Sequence, residues 1–480
     1  MLPKRWRNMF SVRAFGFVLL VSILGCTVGP NYRKPEPSIP TNWAETERVG
    51  IKTSPLEVVR WWTLFGDEEL DSLIDRAVRS NKNLKLAEAR IREARAQLKI
   101  AGSQAFPTLD TSGSYTRLRQ SENIPTSLPG IQYNLFQAGF DASWEIDLFG
   151  GVRRAVEAAE ADLATSEEDR RDVLVTLLGE VAINYLEVRG NQRRIAIARE
   201  NIKIERQTLE LTRGRFEAGL GNILAVTQSE ALLATTEAKI PPLEISVRQA
   251  IHRLAVLLGL EPEALLGELL REGSIPPVPP EVPIGLPSDL LRRRPDVRRA
   301  ERELAAATAR IGVATAALFP RFSLTGSLGL QSTEISDFVT PGSRLWTLGS
   351  VLQWPLFDAG RIRATIEVQN ARQEQALLSY ENAVLAALEN VENAIVSYSR
   401  DQETRRSLVR SVEANRRAAE ISSELYTRGL VDFLNVLQSE GSLYQAQDQL
   451  VQNEQGVSTD LVGLFKALGG GWDILSPKVE

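Results

Sequence analysis

Few residues in this sequence could do chemistry, and their scarcity is informative. Cys26 is the single cysteine and His252 the single histidine. One cysteine excludes a disulfide framework and a thiol-based zinc site. One histidine excludes His-rich metal centres and leaves little for acid–base catalysis. His252 lies in a helical stretch with no paired acid or serine motif, and it reads as a structural residue. No catalytic site and no metal site is therefore expected. The chemistry open to Cys26 is set by what precedes it. Lys4, Arg5, Arg7 and Arg13 form a basic lead, and an apolar run of 11 residues follows from Ala14 to Leu24. A spanning helix needs about 20 apolar residues, so this run is too short to cross a membrane. It fits the h-region of a secretory signal. The run ends in Ile23-Leu24-Gly25-Cys26, the apolar–variable–small–Cys order of a bacterial lipobox, with Leu24 where Ala or Ser is usual. The expected chemistry is thus lipid modification of Cys26 after removal of residues 1–25.

The elements that follow must suit an exported, anchored chain. With 480 residues, 43% hydrophobic and 24% charged, the chain is too long for one core and too apolar for disorder. Its net charge of −5 argues against nucleic acid as a partner, because phosphate binding needs a basic surface. No later stretch reaches 18 consecutive apolar residues, so any membrane crossing must use strands.

The chain is written twice. Residues 105–115, AFPTLDTSGSY, parallel 318–328, LFPRFSLTGSL. Leu148-Phe149-Gly150-Gly151 parallels Leu356-Phe357-Asp358-Ala359-Gly360, and Phe216-x-x-Gly219-Leu220 parallels Tyr426-x-x-Gly429-Leu430. Leu224-x-Val226-x-Gln228-Ser229-Glu230 parallels Leu434-x-Val436-x-Gln438-Ser439-Glu440. The offset stays near 210 residues, which is domain-sized rather than solenoid-sized. Residues 26–67 read as an extended N-terminal segment, 68–260 as the first repeat, 296–470 as the second and 471–480 as a tail. The Pro-rich stretch 261–295 reads as a connector rather than a core element.

Each copy predicts a helix, two strands, then a very long helix. The first helices are expected at about Glu68–Gln104 and Asp296–Ala317. Between about Val152 and Phe216 there is no Pro, and Leu174, Val181, Val188, Ile195, Ile202, Leu209 and Phe216 recur every seven residues. The second copy repeats the stripe with Val384, Val391, Tyr398, Val412, Ala419 and Tyr426, interrupted at Arg405. Such a stripe also suits an ordinary bundle core. Length argues for a supercoil, because a helix of roughly 95 Å does not fit in a compact domain. Gly219 and Gly221 end the first long helix, Gly429 ends the second, and Pro241-Pro242 should kink the returning helix of the first copy.

The strands are expected at about 107–118, 133–148, 320–332 and 343–357. Phe136, Ala138, Phe140, Ala142, Trp144, Ile146 and Leu148 share one face, and Gln137, Asp141, Ser143, Glu145 and Asp147 share the other. Phe322, Leu324, Leu328 and Leu330 alternate with Arg321, Ser323, Thr325 and Ser327 in the same way. Segment 107–117 alternates poorly. Export, two strands per copy and a charged second face favour a lipid-facing sheet over a soluble hairpin. Four strands cannot close a membrane barrel, for which about eight is the lower bound. The sheet must therefore be completed by other copies of the chain.

The chain resembles outer-membrane efflux lipoproteins of the TolC-like superfamily, in the NodT or OprM-like branch that serves resistance-nodulation-division (RND) pumps. The resemblance rests on Cys26-Thr-Val-Gly-Pro-Asn-Tyr32, Trp61-Trp62-Thr-Leu-Phe-Gly-Asp67, Glu69-Leu70 and residues 286–327, LPSDLLRRRPDVRRAERELAAATARIGVATAALFPRFSLTGS. It implies a mainly α fold with membrane β. Three copies would share a twelve-stranded outer-membrane β-barrel continuous with a long coiled-coil periplasmic α-barrel. It also implies N-palmitoyl and S-diacylglycerol groups on Cys26 and no other cofactor. The implied partners are a periplasmic adaptor, an inner-membrane RND pump and outer-membrane lipid. The implied work is passive conduction of small-molecule solutes such as drugs. Protein secretion of type I and metal-ion efflux are the alternatives. In the wider family the gate uses tyrosine and acidic positions of the second-copy hairpin. Here these are Tyr426, Asp432, Asn435 and Gln438, so amides stand where two carboxylates would be. Gly219, Leu220, Gly429, Leu430 and Val431 are the tip residues implied to meet the adaptor.

Overall fold

A computed structural model describes residues 27–44, 51–52, 60–123, 130–279 and 282–475. The expected signal peptide, Cys26 and the last five residues of the tail lie outside the described residues. The chain divides into two compact units, with Arg90–Ser166 and Arg299–Tyr380 forming most of the first.

In the first unit, four strands make one antiparallel sheet. They are β1 (Thr108–Arg119), β2 (Gln132–Ile146), β3 (Arg321–Ser332) and β4 (Arg344–Gln353), paired in chain order. The register carries the apolar face across all four strands. Thr111 lies opposite Phe140, Phe140 opposite Leu328, and Leu328 opposite Trp346. Ser112, Ser143, Thr325 and Ser327 belong to the other face, as the period of two requires. The weak alternation of β1 is thus placed by its partner β2. Two tryptophans mark the duplication. Trp144 Nε1 donates to Ala105 O and Trp354 Nε1 to Leu318 O, both at 3.0 Å, and Phe149 stacks on Phe319. β4 ends earlier than the sequence suggests, because Pro355 follows Trp354 and has no N–H to continue a ladder. Among the described residues, β1 and β4 each leave one edge unpaired.

The remaining long elements are helices, and most of their residues belong to the second unit. The first predicted helix is two helices, α1 (Glu68–Ser80) and α2 (Lys82–Ser103). Asn81 breaks them: its Oδ1 accepts from Leu84 N at 2.9 Å and its Nδ2 donates to Leu257 O at 2.7 Å. The long helices are α3 (Gly151–Glu217) and, after α4 (Ile223–Glu237), α5 (Ile240–Leu257) and α6 (Pro295–Ala316), the equally long α7 (Arg361–Thr427). Each has 67 residues, and each contributes to both units. α8 (Phe433–Ala467) follows. The heptad stripe of α3 is buried from Leu174 through Leu209, and that of α7 from Val384 through Tyr426 on either side of Arg405. Phe216, at the end of α3, is exposed. The first-copy return is interrupted where Pro241 and Pro242 open α5, whereas α8 runs unbroken. No described helix is long and apolar enough to cross a membrane.

The connector corrects one expectation. Residues 261–295 are not merely a linker, because Leu265, Leu269, Val282 and Ile284 are buried and Val282–Pro283 pairs in parallel with Ile51–Lys52. Proline content foretold neither this burial nor the short helices Leu266–Leu269 and Leu290–Arg293. Arg294, in the Arg292–Arg294 run, is likewise structural: it pairs with Asp296 at 2.6 Å and donates to Ala467 O.

Candidate functional site: the helical tips and the acids behind them

Both helical turns are built alike. Gly219 N donates to Phe216 O and Leu220 N to Arg215 O; Gly429 N donates to Tyr426 O and Leu430 N to Leu425 O. This paired closure needs a left-handed residue, and Gly219 (φ 73°) and Gly429 (φ 75°) supply it. Leu220 and Leu430 then project into solvent, as do Leu224 and Leu434 one turn later. Val431 is different: it packs against the cluster of Ala225, Tyr426, Phe433 and Val436.

The two turns differ in their caps. Asn222 caps α4 by accepting from Ala225 N at 2.9 Å, whereas the Asp432 side chain makes no capping bond at the start of α8. Its carboxylate stays exposed. Asn435 and Gln438, also exposed, follow at three-residue spacing along α8. Asn435 Nδ2 reaches back to Asp432 O at 3.3 Å, and Ser439 Oγ lies within hydrogen-bonding reach of Asn435 O and, at 2.8 Å, of Ser422 Oγ.

Tyr426 does not share that exposed row. It is buried, edge-on to Phe433 at 5.5 Å, with the Arg215 guanidinium 4.8 Å from its ring centre. Arg215 Nη1 also donates to Tyr426 O and Thr427 O at 3.1 and 3.2 Å. One first-copy arginine therefore holds the second-copy turn. Sequence reasoning missed Arg215, and no local pattern marks it.

Behind the tips lie acids that sequence reasoning also missed. The repeated Gln-Ser-Glu motif has two fates. Glu230 is exposed and pairs with Arg213 at 2.5 Å, whereas its counterpart Glu440 is 6% exposed and accepts from Thr208 Oγ1 at 2.8 Å. Glu205 is 2% exposed and accepts from Thr236 Oγ1 at 2.9 Å. Burial pushes the Glu205 carboxyl up to about 7, with the Glu440 charge adding to the shift, and burial also raises Glu440. Oε2 of each has no protein partner. Lys239, facing Glu205 and Asp448, is lowered by burial and sits 3.8 Å from the Tyr444 ring centre. Further along α8, burial and the neighbouring Asp401 lift Asp460 to about 6. Among the described residues no cluster of three His, Cys, Asp or Glu could hold a metal. His252 lies within α5, apart from any such cluster.

Comparison with known proteins adds a family likeness to this geometry. The outer membrane efflux protein family matches residues 73–260 and 286–470. Nodulation protein T of Rhizobium leguminosarum bv. trifolii is 34% identical over 462 residues, which is 95% of this chain and 96% of that protein. The pyoverdine export outer membrane protein OpmQ of Pseudomonas aeruginosa is 37% identical over 421 residues, or 87% of this chain and 88% of its own. The solved structure of the outer-membrane channel OprN is 37% identical, with a TM-score of 0.89 over 93% of this chain and all of that one.

Proposed function

The chain belongs to the outer membrane efflux protein family, the channels of RND-type pumps, and on that premise we propose that it is the exit duct of a tripartite assembly. It is an outer-membrane channel and not an enzyme. The duct conducts small-molecule solutes passively. Energy comes from an inner-membrane pump, and a periplasmic adaptor meets the turns that present Leu220 and Leu430. The observation that supports this reading best is the sheet: one continuous apolar face, one polar face and two unpaired edges. An edge left open in lipid strands its backbone N–H and C=O groups without water. A homotrimer of four-stranded sheets removes every edge and places the polar faces around a lumen. Acylation of Cys26 anchors the chain to the same membrane.

In this proposal the row Asp432, Asn435 and Gln438 narrows the periplasmic entrance. Asp432 is available because it caps nothing, and Asn435 is steadied by Asp432 and Ser439. Amides around a three-fold axis hydrogen-bond without the repulsion of a carboxylate ring. The Asn435→Ser, Gln438→Ser double variant should raise single-channel conductance in planar bilayers roughly twofold or more. Unchanged conductance would remove both residues from the gate. A deletion strain challenged with drugs, metal ions and secreted-protein assays tests the cargo class. Sensitivity to drugs alone is expected, and a secretion defect without it would overturn the solute reading.

A further inference from the structure

We propose that residues 27–34 are a docking strap with a built socket, and that buried Arg154 is the positioning residue that fixes where the acylated N-terminus leaves the protein. The proposal rests on the lipidation of Cys26 for its consequence, but not for the docking itself. The described N-terminal residues 27–44 form no helix or strand, so their backbone polar groups need partners from elsewhere. The socket supplies them. Val28 N donates to Phe149 O at 3.1 Å. Arg154, only 3% exposed, donates from Nε to Val28 O at 3.1 Å, and from Nη2 to Gly29 O at 3.2 Å and Asn31 Oδ1 at 2.7 Å. Its Nη1 is held by Glu157 at 2.6 Å. Further along the strap, Tyr32 Oη donates to Glu301 at 3.2 Å and Lys34 pairs with the same buried carboxylate at 3.0 Å.

The floor of the socket tolerates no side chain. A Cβ on Gly29 (φ 88°) would fall 2.5 Å from Gly312 Cα, and one on Gly312 would fall 2.7 Å from Arg154 Cγ. A Cβ on Gly150 would fall 2.8 Å from Thr27 Cα. The strap backbone thus lies directly on α6 and on the turn that opens α3. If it lifted away, Arg154 would keep Glu157 but lose its three acceptors on the strap. Docking therefore favours itself through Arg154. Thr27 is fixed against Gly150, and Cys26 is one peptide, about 3.8 Å, further on. The lipid anchor then leaves the protein at the junction where β2 passes into α3, at a place set by the socket and not by the slack of a tether.

Trypsin tests this directly, because Arg33-Lys34 lies in the strap and Lys34-Pro35 resists cleavage. The full-length protein in detergent is digested briefly, and the peptide ending at Arg33 is followed by mass spectrometry. The wild type should be cut slowly there. Arg154→Ala and Gly312→Val should be cut roughly tenfold faster, with the remaining fragments unchanged. Asn31→Ala, which removes one acceptor and disturbs no core, should show a smaller increase, and it keeps the test decisive if the stronger variants unfold. Equal rates in wild type and Asn31→Ala, or in wild type and a folded Arg154→Ala, would overturn the strap. The mass of the released peptide separately reports acylation. An unmodified peptide released slowly from the wild type would end the anchoring consequence and leave the docking intact.

Discussion

Leu348→Arg should leave little assembled channel in the membrane, whereas Thr347→Arg, one residue away, should assemble. Leu348 lies midway along β4 opposite Gly326, on the face that carries Leu328 and Trp346, and it is 81% exposed in the isolated chain. An arginine on the lipid face near the bilayer midplane costs about 2–4 kcal/mol. Three copies per trimer bring this to roughly 6–12 kcal/mol, comparable with the whole stability of a typical domain. Thr347 points the other way and shares a 2.7 Å hydrogen bond with Ser327. Losing that bond costs about 0.5–1.5 kcal/mol, and the arginine reaches water in the lumen. The comparison controls for strand propensity, since both variants place the same side chain in the same strand. Trimer abundance in purified outer membranes, read on unheated gels, decides between them. Equal abundance of Leu348→Arg and wild type would mean that this face does not meet lipid.

The sequence was most legible where one physical period dominated. Seven-residue spacing located the buried stripes of α3 and α7, because every residue on a supercoil seam meets the same environment. Period two located the sheet faces, even though β1 had to borrow its placement from β2. Legibility failed where long-range contacts decide. Asn81 breaks a helix that propensity would continue, because its side chain caps α2 and bonds a distant carbonyl at Leu257. Proline-rich residues 261–295 include the short strand Val282–Pro283 but also helical turns at Leu266–Leu269 and Leu290–Arg293, and the buried Leu269, Val282 and Ile284 owe their place to tertiary packing. The tips show both outcomes. Gly219 and Gly429 were readable from turn chemistry. Tyr426 continues the stripe of Val412 and Ala419 and is buried with it. Glu230 and Glu440 occupy the same place in the same motif and meet opposite surroundings. Duplicated sequence reproduces backbone, while burial depends on which neighbours each copy meets.

That asymmetry leads to a pH effect. Glu205 would ionise near 4.5 when freely hydrated and is lifted to about 7 in the fold, so the folded state favours its protonated form. The associated stability is fully present below about 4.5 and is lost as pH rises through about 7. The groups facing it set the sign. Thr236 donates to the carboxyl and Lys239 opposes the shift, but burial and the charges of Glu440 and Glu237 outweigh them. Glu205→Gln keeps an acceptor for Thr236 and places an uncharged amide where Oε2 now has no protein partner. The variant should therefore match the wild type near pH 4.5 and exceed it at pH 8, by on the order of 1–3 kcal/mol per chain. Helical unfolding followed by circular dichroism across that range is the measurement, with the wild-type midpoint falling as pH rises and the variant midpoint falling less. Parallel curves would show that Glu205 is already charged in the folded protein. In that case the Thr236 hydroxyl and Lys239, which both favour the charged form, would be the partners that keep it so.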